Sequence, residues 1–296
     1  MTYDPEIPRQ FYDNLGDREW HRLTKDRLGE LLFHVHMDVL RLHIGPEHSV
    51  LELGAGAGIF TKELALLAGR LVVSDLSQVQ LDLNRQHMIG AGCFDRISSF
   101  ENLDIGDLSE LDAGTFDRVV CIGGPLSYLL DRERTALEGL IRILRPGGRL
   151  VVGVMSLLST VIRYMRGLKN EKESYGIDAI RWLLETGIQD GSNYPGPQHA
   201  KHHVHMMRSD ELDALCDDLP ATIIEKRAAG LLALAGEEAL EVAAQDPDLW
   251  QLLLDRELAY SKQPGSLDLG ANLLYVLEKE SGDVTSGSRG GEGVHG

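Results

Sequence analysis

One run limits the possible folds more than any other: Val50-Leu51-Glu52-Leu53-Gly54-Ala55-Gly56-Ala57-Gly58, an apolar segment that enters glycines at every second position and continues into a helical pattern from Ile59 to Ala68. Glycine permits torsions and close approaches that a Cβ would block, so such a turn can lie directly against a ligand. The helix behind it presents free N–H groups to the same place. In a G-x-G-x-x-G dinucleotide fingerprint the third glycine would fall at position 59, which is Ile59, so the spacing argues against NAD. Read without function, the run is a tight strand-to-helix turn.

From residue 49 to 154 strand and helix patterns alternate, with strands expected at Ser49–Leu53, Arg70–Ser74, Ile97–Asn102, Asp117–Ile122 and Arg149–Val154. Such alternation implies an α/β fold with a parallel sheet and right-handed crossovers. Residues 8–44 read as helical and end at Gly45-Pro46. The rhythm breaks over residues 155–218, where amphipathic pieces at Leu157–Leu168 and Ile177–Thr186 precede a Gly/Pro/Asn-rich loop at Gly191–Pro197. It returns with strands at Ala221–Arg227 and Ala271–Leu277 around a helical stretch at Glu237–Lys262. The chain divides accordingly into an N-terminal helical cap (1–47), a ligand-binding core (48–154), a helical lid insertion (155–218), a segment completing the sheet (219–280) and a Gly/Ser-rich flexible tail (281–296).

Asp75 closes the second strand, seventeen residues after Gly58, where a carboxylate can accept both hydroxyls of a ribose. Asp104 follows the third strand in Leu103-Asp104-Ile105. It is placed to accept an amino-group hydrogen bond, or it is a solvated loop acid. The fourth strand runs into Ile122-Gly123-Gly124-Pro125, a second glycine-softened strand end, and Leu144-Arg145-Pro146-Gly147-Gly148 is a helix stop and turn into the fifth.

With these five features in order, the chain resembles the class I S-adenosylmethionine-dependent methyltransferases, strongly over about residues 48–154 and more loosely over 8–47 and 219–279. The resemblance implies a Rossmann-like, doubly wound, seven-stranded sheet, mostly parallel with an antiparallel last strand, and S-adenosyl-L-methionine as cofactor. It implies that Glu52, Gly54, Ala55, Gly56 and Gly58 build the floor under the methionine moiety, that Asp75 with Leu76 holds the ribose, and that Asp104 and Ile105 read the adenine. Ile122 and Gly123 would line the floor near the sulfonium. Phe11-Tyr12-Asp13 looks like the aromatic that covers the cofactor in the ubiquinone-type branch; Tyr12 and Trp20 read equally as core aromatics.

Methyl transfer from a sulfonium asks the protein chiefly for alignment and at most one base. The candidates are His203 and His205, within His199, His202, His203 and His205, read as a base or pocket lining, as solvated loop, or as a metal site. For a metal the sequence offers no carboxylate at fixed spacing, though Glu19 or Glu185 could approach, and no metal is assigned. Outer segments 8–36 and 155–210, which carry Tyr12, Trp20, His36, Tyr164, Trp182, His203 and His205, are expected to close over the site as a lid.

The balance of 29 basic against 46 acidic residues, a net charge of -17, disfavours polyphosphate partners, and the scatter of Arg163, Arg166, Lys169 and Lys172 reads as a solvated helix face. A small-molecule acceptor is therefore expected, with no nucleic acid and no membrane partner. Cys93, Cys121 and Cys216 suggest neither disulfides nor zinc, and no apolar run approaches the ~20 residues that span a bilayer, so a cytoplasmic location is expected. The competing readings are a non-catalytic S-adenosylmethionine-binding protein and a nucleotide-cofactor oxidoreductase. The acceptor and the oligomeric state are not legible.

Overall fold

The computed structural model describes residues 2–194 and 203–281. Seven strands form one sheet: β1 (Ser49–Leu53), β2 (Arg70–Asp75), β3 (Ile97–Asn102), β4 (Phe116–Cys121), β5 (Leu144–Met155), and, later in the chain, β8 (Ala221–Ala229) and β9 (Asn272–Lys279). Their spatial order is β3-β2-β1-β4-β5-β9-β8, and β9 runs antiparallel to both neighbours while β1 to β5 pair in parallel. Val50, Leu51, Val119, Val120, Val151 and Val152 are buried on both faces, which is why the central strands read as near-continuous apolar runs rather than alternations.

Two helical layers cover the sheet. On one face α2 (Arg27–His43), α3 (Ile59–Leu67) and α4 (Gln78–Gly90) bury Val35, Val39, Leu64, Leu81 and Met88 against Val50, Val73 and Val120. On the other, α5 (Glu133–Ile143) and α9 (Ser209–Cys216) bury Leu137, Leu140, Ile141 and Leu212 against Leu51, Val119 and Leu150. Between β1 and β4 the strand order reverses, which opens a crevice at the carboxyl ends of these strands.

Two stretches expected as continuous helix are broken. The N-terminal one splits into α1 (Glu6–Leu15) and α2, because Gly16 takes a φ of 57° and a 3-10 turn, Gly16–Glu19, redirects the chain. Asp26 starts α2 by accepting from the Gly29 N–H at 2.8 Å. The later stretch splits into α10 (Glu237–Ala243) and α11 (Pro247–Tyr260), since Pro247 lacks the N–H needed to continue a helix but suits the first position of a new one, capped by Asp246. Residues 155–218 contain α6 (Leu157–Tyr164), α7 (Leu168–Tyr175), α8 (Ile177–Thr186) and a two-residue ladder of β6 (Ile188–Gln189) with β7 (Val204–His205).

All three cysteines are buried free thiols. Among the described residues no helix is long and apolar enough to cross a membrane. The expected tail lies, from residue 282 on, outside the described residues, as do Pro195–Pro197 of the expected loop.

Candidate active site

The glycine turn after β1 forms one wall of a cavity at the strand-order reversal, with about 690 Å³ of free space, its open mouth included. Gly54 has a φ of +67°, and a Cβ there would lie 2.3 Å from Pro125 Cγ, so the turn and the segment after β4 touch through a position that admits no side chain. Gly56, at a φ of +53°, would bring a Cβ to 3.2 Å from Glu19 Cγ. Gly54, Gly56, Asp75, Leu76, Ile105, Ile122, Gly123 and Tyr12 of the expected site all line this cavity.

Asp75 Oδ2 accepts from the Gly56 N–H and Oδ1 from the Ser77 N–H, both at 2.8 Å. Burial raises this carboxyl to about 6 against the pull of those two N–H groups. The carboxylate thus ties the glycine turn to the segment after β2 and lies on the cavity wall.

Glu52, Ala55, Gly58 and Asp104 do not line the cavity. Glu52 lies beneath the turn, where burial raises it to about 8 and Thr61 Oγ1 donates to it at 2.7 Å. Asn84 Nδ2 donates in turn to Thr61 Oγ1 and to the Gly56 carbonyl, so Glu52 braces the turn from below through α3 and α4. The Ala55 N–H donates to the Ser74 carbonyl, and Gly58 is the left-handed residue that starts α3. Asp104 Oδ1 accepts from Tyr3 Oη and from the Gly106 N–H, both at 2.7 Å, so the chain's first residues are strapped across the β3 end of the crevice.

Residues of the N-terminal segment, among them Tyr12, Glu19 and Arg22, also line the cavity. Ser77 Oγ donates to Asp13 at 2.5 Å, and Gln80 Nε2 donates to the Tyr12 and Gly16 carbonyls, so α4 fixes the end of α1. That placement brings Tyr12, Glu19 and Arg22 onto the cavity. Tyr12 and Tyr128 share a hydroxyl–hydroxyl hydrogen bond of 2.8 Å, and burial raises both phenols. Leu157, Val161 and Leu183 of α6 and α8 pack with Val204, Met206, Tyr128 and Tyr12 in one cluster, so the two outer segments meet at the tyrosine pair.

Other residues of those segments point elsewhere. Trp20 stacks on His87 at 4.0 Å, His36 is buried against Phe60 with its Nδ1 2.7 Å from the Leu32 carbonyl, and Tyr164 and Trp182 are exposed. Burial lowers His36 to about 4. His203 Nε2 accepts from the Gly191 N–H at 2.9 Å, and His205 Nδ1 pairs with Glu133 at 2.8 Å. Burial lowers His205, but the hydrogen bond and charge of Glu133 outweigh it and leave the imidazole raised. Neither lines the cavity, and His199 and His202 lie outside the described residues. No group of three His, Cys, Asp or Glu among the described residues could hold a metal ion.

Sequence reasoning missed Glu19 and Arg22 as cavity residues, along with Ser77, Tyr128 and Tyr3. Tyr128 had a legible signal, five residues after Gly123 in the same strand-end segment. Glu19 and Arg22 had only a charge pair three apart, which most often marks a solvated face.

Comparison with known proteins gives consistent results. The methyltransferase domain family matches residues 50–148. The chain is 30% identical over 197 residues to the ubiquinone/menaquinone biosynthesis C-methyltransferase UbiE of Hahella chejuensis, covering 62% of this chain and 68% of that protein. It is 32% identical over 122 residues to nodulation protein S of Sinorhizobium fredii, covering 40% of this chain and 53% of that protein. The chain spans about half or less of the length of the first curated relatives it matches. The N-methyltransferase NodS of Bradyrhizobium japonicum, solved with S-adenosyl-L-homocysteine, superposes with a TM-score of 0.52 at 19% identity over 93% of this chain and 96% of that one, a likeness of fold.

Proposed function

Because the chain belongs to the class I S-adenosylmethionine-dependent methyltransferases, we propose that it transfers a methyl group from S-adenosyl-L-methionine to an oxygen, nitrogen or carbon of a small-molecule acceptor held under the lid. One observation carries the reading: Gly54, Gly56 and Asp75 converge on a single cavity at the strand-order reversal, with Ile59 standing where a dinucleotide fold needs its third glycine.

The residues fit the cofactor. The space at Gly54 and Gly56 is one that side chains would fill, and the buried Glu19 Oε2 has no partner among the described residues. Asp75 would hold the ribose on two oxygens already oriented by Gly56 and Ser77, Leu103 and Ile105 would flank the adenine beside Asp104, and Gly123 would leave room at the sulfonium. Bound S-adenosyl-L-methionine supplies a methyl group on a sulfonium, which a lone pair displaces in line.

The protein's part is alignment and exclusion of water. Tyr12 and Tyr128 close the cavity beneath the lid cluster, and Leu53, Ile122 and Leu129 make much of its wall apolar. No histidine lines that wall among the described residues, so His203 or His205 would take the acceptor's proton only after the β7 segment moved inward. The net charge of -17 supports a small-molecule acceptor over nucleic acid.

Calorimetric titration tests the cofactor. S-adenosyl-L-homocysteine should bind and NAD should not; binding of NAD alone would overturn the reading. Incubation with labelled S-adenosyl-L-methionine and a fractionated cell extract tests transfer, and binding without transfer to any fraction would favour a non-catalytic role.

A further inference from the structure

Three side chains on one face of α4, Gln80, Asn84 and His87, spaced i, i+4 and i+7, engage carbonyls of the two segments that meet at the cavity. Gln80 Nε2 donates to the Tyr12 and Gly16 carbonyls of the N-terminal segment, and Asn84 Nδ2 donates to the Gly56 carbonyl of the glycine turn. Of the three, His87 alone touches both. Its Nδ1 lies 2.8 Å from the Ala57 carbonyl in the glycine turn, its Nε2 lies 3.0 Å from Asp17 Oδ1 in the 3-10 turn, and its ring stacks on Trp20 at 4.0 Å.

Both polar partners of the ring, a carbonyl and a carboxylate, only accept. A neutral imidazole carries one N–H, so either tautomer leaves a lone pair facing an oxygen at 2.8 or 3.0 Å. The imidazolium donates at both ends and satisfies both. Gln80 and Asn84 keep their contacts at any pH, whereas the charge of a histidine changes within the physiological range. Asp17 is the charged group that faces the ring from the 3-10 turn, and it also lies 3.8 Å from His21 Nε2. Glu19 is engaged by Arg22 and Arg85 by Asp82, and among the described residues no charged group of α3 pairs with the ring.

We propose that His87 is a positioning residue for the cavity: its imidazolium locks the N-terminal segment to the glycine turn, and the lock loosens when the ring gives up its proton. The ring touches neither wall of the cavity from inside, yet it joins the segment that brings Tyr12, Glu19 and Arg22 onto the cavity to the turn that brings Gly54 and Gly56 there. Resting on the function proposed above, a cofactor held between these two walls binds more weakly when the joint opens, so its affinity falls as pH rises.

The test uses the full chain and titrates S-adenosyl-L-homocysteine by calorimetry from about pH 6.5 to 8.5, above the range in which Asp75 protonates. Wild-type affinity should fall roughly three- to tenfold across this window, a modest change because Asp17 is half exposed. His87→Phe keeps a ring on Trp20 and loses both hydrogen bonds, so its affinity should stay flat near the high-pH wild-type value. Asp17→Asn supplies an amide that donates to the bare Nε2 while Nδ1–H serves Ala57, so affinity at the upper end should return to within about twofold of wild type at the lower end. His21→Gln should keep the wild-type dependence. Variants of His87 and Asp17 that both retain the wild-type pH dependence would overturn the lock. A second readout needs no ligand: a charged imidazole stacked on an indole quenches its emission, so the fluorescence that Trp20→Phe removes should rise with pH in the wild-type protein and stay constant in His87→Phe. Absence of that rise would overturn the lock, including where His87→Phe does not fold. Wild-type protein that binds no S-adenosyl-L-homocysteine at any pH would overturn the cofactor reading and leave the emission to decide the lock.

Discussion

Replacing Asp75 by Asn should separate binding from stability. The carboxyl rises from its ordinary 3.8 to about 6 on burial, so its ionised form costs the folded state roughly 3 kcal/mol at neutral pH. The sign follows: a raised carboxyl contributes stability fully present below 3.8 and lost as pH rises to about 6. Asn removes that charge and keeps one acceptor oxygen, but sets an N–H group against either Gly56 or Ser77, a loss of about 1–3 kcal/mol. The two effects nearly cancel, so Tm at neutral pH should move by no more than about 5 °C, and the wild-type protein should gain stability on going from pH 7 to 5 relative to the variant. Ligand affinity has no such compensation. Loss of charged acceptors should weaken S-adenosyl-L-homocysteine binding roughly 10- to 100-fold, and wild-type affinity should itself decline below about pH 6 as the carboxyl protonates. Melting curves by circular dichroism and calorimetric titration across pH measure both. A fall in Tm beyond about 10 °C would show Asp75 to be a structural brace, and an affinity within about twofold of wild type would show that the ribose is held elsewhere.

Gly54→Ala should fail at two levels, because a φ of +67° strains any side chain and the new Cβ would sit 2.3 Å from Pro125 Cγ. A destabilisation of about 1–3 kcal/mol in chemical denaturation is expected, together with loss of cofactor binding, and a variant with wild-type affinity would contradict the close approach. For His205→Ala, the Glu133 pair and the position outside the cavity wall predict turnover within about tenfold of wild type; a loss of roughly 100- to 10,000-fold at unchanged cofactor affinity would instead make His205 the base.

The positions of the strands along the chain were legible because each had a local cause: apolar runs at Val50–Leu53 and Val119–Cys121 that only a sheet covered on both faces buries, and glycines where the strands end. The same locality made Asp75 legible, since a residue closing a parallel strand beside a strand-order reversal must face the crevice. Helix breaks at Gly16 and Pro247 were written in single residues but masked by apolar periodicity on either side.

What lines the far side of the cavity was not legible. Glu52 and Glu19 are both acids near a glycine turn, one adjacent in sequence and one more than thirty residues earlier, and sequence proximity favoured the wrong side of the turn for a ligand contact. Glu52 goes beneath because strand alternation points it toward Thr61 and α3, while Glu19 reaches the cavity because hydrogen bonds from Ser77 and Gln80 hold the end of α1 over α4. Likewise His203 and His205 gather in sequence, yet the Gly191 N–H engages the one and Glu133 the other, and neither lines the cavity. Local pattern determines which backbone ends can floor a site. Which side chains roof it depends on contacts between distant segments, whose energies come from packing and burial that no local window contains.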